Sequence, residues 1–154
     1  MNRSLEIYVD GACSGNPGPA AIGVVIREKG KTVKEIALPI GDATNNIAEY
    51  SALVYALQEA LLQKATHVKV YTDSELMFSQ ITGRYKIKNE GLKFLFEQAQ
   101  HLAKAFKAFT IEHILREKNK DADKLASGVL KKKQANVVAS LFDDGGEESP
   151  SSIG

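Results

Sequence analysis

Three strand-like stretches come before the first helical pattern, and that order restricts the fold more than any other feature. Residues 5–10, 20–28 and 32–40 read as strands, with Glu28-Lys29-Gly30-Lys31 as the hairpin turn between the second and third. From there the period changes. Ile47, Tyr50, Val54, Leu57 and Leu61 keep helical spacing over residues 46–64, and Ala48, Ala52, Ala56 and Ala60 form a second stripe small enough for close packing. A strand at 68–72, a short helix at 74–82, a helix at 89–106, a strand at 109–115 and a helix at 121–133 follow, the last with Ala122, Leu125, Ala126, Val129 and Leu130 on one face. The order β-β-β-α-β-α-α-β-α joins a hairpin-rich start to parallel crossovers. It predicts an α/β fold with one mixed sheet flanked by helices.

A chain of 154 residues, 44% hydrophobic and 25% charged, fits one globular domain able to bury a real core. Its expected extent is residues 1–142. No apolar run nears the roughly 18 residues that cross a bilayer, and the first residues lead into a strand pattern with no apolar leader segment. Cys13 is the single cysteine, which excludes an internal disulfide and a thiolate zinc cluster. A cytoplasmic monomer with no membrane partner is the expectation. Residues 143–154 carry Asp143, Asp144, Glu147 and Glu148 without Lys or Arg, and read as an acidic disordered tail. Setting those four aside from the 19 acids leaves 15 against 20 basic residues, a body of net +5 compatible with a polyanionic partner. The apolar stretch 136–142 either docks on the body or serves as a recognition segment for a protein partner.

Alternation puts Tyr8 and Asp10 on one face of the first strand, and Tyr71 and Asp73 on one face of the fourth. Both strands therefore end in Tyr-x-Asp. Ligands of open α/β sheets gather at such C-terminal edges. If these strands are parallel neighbours, the two carboxylates stand about 5 Å apart. Anions that close need a proton or a cation between them, and a pair of divalent ions suits phosphodiester chemistry. Singly, each candidate acid has an ordinary structural explanation. Asp73 could cap the helix that starts beside it, and Asn46 with Glu49 could form a capping box. Asp121 and Asp123 could favour a helix dipole, and Asp10-Gly11 could be turn chemistry.

Those explanations leave the joint pattern unaccounted for. It consists of Asp10-Gly11-Ala12-x-x-Gly15-Asn16-Pro17-Gly18-Pro19, Thr44-Asn45-Asn46-x-x-Glu49, Thr72-Asp73-Ser74 and Asn119-x-x-Ala122-Asp123-x-Leu125-Ala126. Four motifs in register over residues 5–130 strongly resemble the type 1 ribonuclease H family. The resemblance implies a ribonuclease H-like five-stranded mixed sheet whose second strand is antiparallel. It implies an endonuclease that hydrolyses the RNA strand of RNA–DNA hybrids, leaving 5′-phosphate and 3′-hydroxyl ends. It also implies that Asp10, Glu49, Asp73 and Asp123 hold two ions of Mg2+, or of Mn2+. By that analogy Asp10 bridges both ions, Asp123 completes one site, and Glu49 with Asp73 completes the other.

Further contacts carried over from the resemblance are Cys13, Gly15 through its backbone, Asn16, Asn46, Glu49 and Glu75 to the hybrid, and Thr44 and Asn45 to the DNA strand. The sequence also departs from the family pattern. Glu75 stands where many relatives have Gln. The stretch Leu115-Arg116-Glu117-Lys118-Asn119 lacks the His that many bacterial relatives place there. Arg116 instead resembles the Arg of a subgroup with archaeal and some bacterial members, and its fixed charge can hold a phosphate but cannot shuttle protons. The basic, Trp-bearing handle of tight-binding relatives is missing, and Arg84, Lys86 and Lys88 around Tyr85 offer a reduced phosphate grip or merely a solvated connection. Two other readings stay open: a related nuclease that also acts on double-stranded RNA, and a module that binds hybrids without cutting them.

Overall fold

The structure is a computed structural model that describes residues 1–141, with side chains through residue 133. The strands are β1 (Ser4–Cys13), β2 (Gly18–Glu28), β3 (Lys31–Ala43), β4 (His67–Thr72) and β5 (Ala108–His113); the helices are α1 (Asn45–Leu62), α2 (Glu75–Ile81), α3 (Glu90–Ala103) and α4 (Lys120–Leu141). They form one sheet in the order β3-β2-β1-β4-β5. β2 runs antiparallel to both its neighbours, while β1, β4 and β5 are parallel. This is the mixed sheet the sequence pattern predicts. The β2–β3 turn places Lys29 and Gly30 at positive φ (52° and 80°), the backbone of a tight hairpin.

Register separates the two faces of the sheet. Leu5, Ile7 and Val9 share a face with their partners Ile26 and Val24 and with Val68 and Val70 across β4, all of them buried. That face receives α1, whose Ala48, Ala52, Ala56 and Ala60 are completely buried and admit the helix close to the strands. The opposite face carries Tyr8, Asp10 and Gly23, and α4 packs on it through the fully buried Ala122 and Ala126. β2 is covered on both sides and reads as an unbroken apolar run, as such a strand should. Beyond α4, Tyr8 stacks on Tyr71 with centroids 4.7 Å apart, flanked by Arg27 and Lys69.

Several local expectations shift. The glycine-rich loop expected at 11–19 shortens, because β1 continues to Cys13 and β2 begins at Gly18. A 3₁₀ turn, Arg116–Lys118, leads into α4. α4 does not stop at residue 133 but continues to Leu141, so the backbone of 136–141 is helical and no separate segment begins there. No Gly or Pro interrupts residues 129–141, and Lys, Gln and Ala sustain a helix well. Residues 142–154, and with them the expected acidic tail, lie outside the described residues. No helix among the described residues is long and apolar enough to cross a membrane.

Candidate metal centre

Tyr8 and Tyr71 are register partners in the parallel β1–β4 pair, as are Val9 and Thr72. One residue further on, Asp10 and Asp73 emerge side by side at the same edge. The sheet alone supplies these two acids. Glu49 and Asp123 come from helices, and each is admitted by a glycine. A Cβ on Gly11 would strike the backbone of Ala48 and lie 2.5 Å from the Glu49 nitrogen, so only a residue without a side chain lets α1 pass here. The approach allows the Gly11 amide to donate to Glu49 Oε1 at 2.8 Å. On the other face, a Cβ on Gly23 would strike the Ala122 carbonyl and lie 2.9 Å from the Ala126 nitrogen. Gly23 is the β2 partner of Asp10, so the same gap that seats α4 sets Asp123 over Asp10.

Carboxylate oxygens of Asp10, Glu49 and Asp73 all lie within 4.8 Å of one another. Asp123 stands outside that tight group but close enough for its carboxylate to raise the Asp10 pKa further; Ser127 Oγ donates to Asp123 Oδ1 at 3.4 Å. All four acids open on a cavity of about 590 Å³, together with Arg116. Asp10 is 5% exposed, and burial followed by the charges of Glu49 and Asp73 pushes its pKa up to about 9. Burial and Asp73 likewise push Glu49 up, against the pull of the Gly11 amide, Asp10 and Arg116. Acids this crowded take up either protons or cations. An all-oxygen, all-carboxylate donor set is what hard divalent ions such as Mg2+ and Mn2+ prefer, so these residues fit such ions.

The capping and turn explanations fail, whereas Asp121 and Asp123 do stand in the first turn of α4, where acids favour the helix dipole. Ser74, not Asp73, caps α2 by accepting from the Met77 amide. Thr44, not Asn46, caps α1 by accepting from Ile47, which leaves Glu49 free of any capping box. Asp121 is paired with Arg27 at 2.7 Å, away from the cluster. The nearby rim is a small hydrogen-bonded group in which the Cys13 thiol donates to Asn45 Oδ1 at 2.9 Å, and the Asn45 backbone N–H donates to Asn16 Oδ1 at 3.0 Å. Burial raises the Cys13 pKa, so it stands there as a thiol and not as a nucleophilic thiolate.

Cys13 and Asn45 line the cavity, whereas Gly15, Asn16, Thr44 and Asn46 lie beyond its lining. Glu75 is exposed in the first turn of α2. Arg84, Lys86 and Lys88 are exposed in the connection between α2 and α3, with the Arg84 guanidinium 5.5 Å above the Phe78 ring. Sequence reasoning alone misses Ser127 and Lys131, which also line the cavity. Their spacing of four and eight residues from Asp123 is the signal that could have found them. It misses Gly23 as well, since nothing local marks a glycine that faces a helix a hundred residues away.

A family model described as reverse transcriptase-like matches residues 8–129. A bifunctional protein of Mycobacterium tuberculosis is 39% identical over 128 residues, 82% of this chain and 35% of that protein. Ribonuclease HI of Halobacterium salinarum is 40% identical over 82% of this chain and 64% of its own length. The chain thus spans between about a third and two thirds of these relatives. LC11-RNase H1, solved in complex with an RNA/DNA hybrid, superposes with a TM-score of 0.80 at 40% identity, over 84% of this chain and 99% of that one. Shared sequence over the whole of another folded domain is a stronger bond than shared shape, and by it this chain belongs to the ribonuclease H family.

Proposed function

We propose that this chain is an endonuclease that hydrolyses the RNA strand of RNA–DNA hybrids, leaving 5′-phosphate and 3′-hydroxyl ends. The observation that carries the reading is the convergence of Asp10, Glu49 and Asp73 within 4.8 Å, with Asp123 on the same cavity. The crystallised relative bound to a hybrid supports the choice of substrate.

Asp10, Glu49, Asp73 and Asp123 would hold a pair of Mg2+ or Mn2+ ions, Asp10 being the acid whose pKa responds to all the others. Such ions supply a water of lowered pKa and neutralise charge on phosphate oxygens. The protein contributes position. Gly11 fixes Glu49 through its amide, so the carboxylate is oriented before substrate arrives. Arg116, which lines the cavity with the four acids and Lys131, holds a phosphate oxygen without moving a proton. Cys13, Asn16 and Asn45 are already bonded to one another at the rim and, with Asn46, the Gly15 backbone and Glu75, face the hybrid, where the 2′-hydroxyl distinguishes RNA from DNA. Thr44 and Asn45 lie at the N-terminus of α1, where backbone amides favour a phosphate of the DNA strand. Arg84, Lys86 and Lys88 add a sequence-independent grip on the backbone.

The test is cleavage of an end-labelled hybrid, with duplex RNA and duplex DNA in parallel, in Mg2+, in Mn2+ and in chelator. Cuts confined to the RNA strand, dependent on metal, with 3′ ends that a polymerase can extend, are expected. A preference for duplex DNA, or cutting that survives chelation, refutes it.

A further inference from the structure

Asn119 is a buried polar residue beside the acids, at 1% exposure, and it neither lines their cavity nor supplies a carboxylate. Its side-chain amide donates twice, to the Val9 carbonyl at 2.8 Å and to Asp73 Oδ2 at 3.1 Å. Both partners are acceptors only, so the NH2 end of the amide must be the end that faces them. Its backbone carbonyl accepts from the Asp123 amide at 3.1 Å, the hydrogen bond that opens α4. One residue therefore touches the peptide that carries Asp10, the carboxylate of Asp73 and the amide of Asp123. The arrangement has a cost. Asn119 Oδ1 is buried and accepts from no group among the described residues. A fold seldom strands a buried acceptor when an apolar side chain would fill the space.

From this we infer that Asn119 is a positioning residue that fixes Asp73 and Asp123 relative to Asp10, and so sets the affinity of the acid cluster for divalent cations. The inference rests on reading these carboxylates as a cation site. The partners of metal-binding carboxylates typically change metal affinity or activity by about 10- to 100-fold when removed. Asn119 is poised to do so at the ends of three different elements.

The test is calorimetric titration of the full chain with Mn2+ alone, for wild type, Asn119→Ala and Asn119→Ser, with melting in chelator to establish that each variant is folded. The Ser variant keeps one hydroxyl donor and serves if the Ala variant does not fold. Mn2+ affinity is expected to fall about tenfold or more in the Ala variant and less in the Ser variant. On hybrid, kcat should fall with KM within about twofold, since Asn119 does not line the cavity. Folded variants that melt lower yet bind Mn2+ as tightly as wild type would make Asn119 a structural bracket and overturn the inference. A wild-type protein that takes up no Mn2+ fails at the earlier step, the cation site itself.

Discussion

Replacing Asp10 with Asn should stabilise the metal-free protein while abolishing its cleavage of hybrids. The reasoning starts from the Asp10 pKa of about 9 against an ordinary 3.8, caused first by burial and then by Glu49 and Asp73. Between those values the folded state holds a proton that the unfolded chain has released. Stability must then fall as pH rises through this window, the opposite of the trend for a salt-bridged carboxylate. At pH 7 about three units of the shift are realised, which at 1.36 kcal/mol each sets a ceiling of about 4 kcal/mol. The proton is shared among neighbouring acids, so an expected gain of about 1–3 kcal/mol for Asp10→Asn is reasonable. Asn keeps the shape, cannot ionise, and offers two N–H donors to the acids around it. Urea melts in chelator at pH 5 and pH 8 measure this directly. The variant should lead by more at pH 8 than at pH 5. Excess Mg2+ should reverse the order, because a ligand bound only by the folded wild type adds stability by mass action. A variant less stable than wild type in chelator at pH 8, or a difference independent of pH, refutes the electrostatic account of the cluster.

Other perturbations isolate the remaining parts of the site. Gly23→Ala pushes a methyl group into the Ala122 carbonyl and should cost about 1–3 kcal/mol in a urea melt, with weakened Mn2+ binding because Asp123 moves with α4. Ser74→Ala removes the cap of α2 and should cost about 1 kcal/mol, seen as a lower melting temperature. Replacing Arg84, Lys86 and Lys88 together with Ala should weaken hybrid binding equally for all sequences. It should flatten the dependence of log Kd on log salt by up to about 3, and an unchanged slope would remove these residues from the interface.

The strand arithmetic is legible in the sequence because it needs only a period of two. Alternation alone pairs Tyr8 with Asp10 and Tyr71 with Asp73, and the register bears this out. The α1 pattern is equally plain, since apolar spacing and the alanine stripe agree on one buried side. Illegible are the features that depend on two distant segments at once. Gly11 reads as a loop residue and is a strand residue under a helix. Gly23 carries no local signal and is the seat of α4. The capping assignments mislead because Asn46 and Asp73 each stand within two residues of the true cap, and sequence does not say which of several competent side chains takes the amide.

Gly11 and Gly23 also explain why four acids can share so little space without the fold opening around them. Each lies on a strand covered by a helix, and each allows a backbone-to-backbone approach that no other residue permits. The carboxylates are thereby held by main chain at both flanks: Glu49 through the Gly11 amide, Asp123 through the first turn of α4. Repulsion between the acids cannot relax by side-chain rotation alone; it would have to lift a helix away from β2, whose core residues Ile22, Val24 and Ile26 are completely buried. The sheet therefore stores the strain of the cluster as raised proton affinity in Asp10 and Glu49, and a divalent cation that displaces those protons meets ligands already in place.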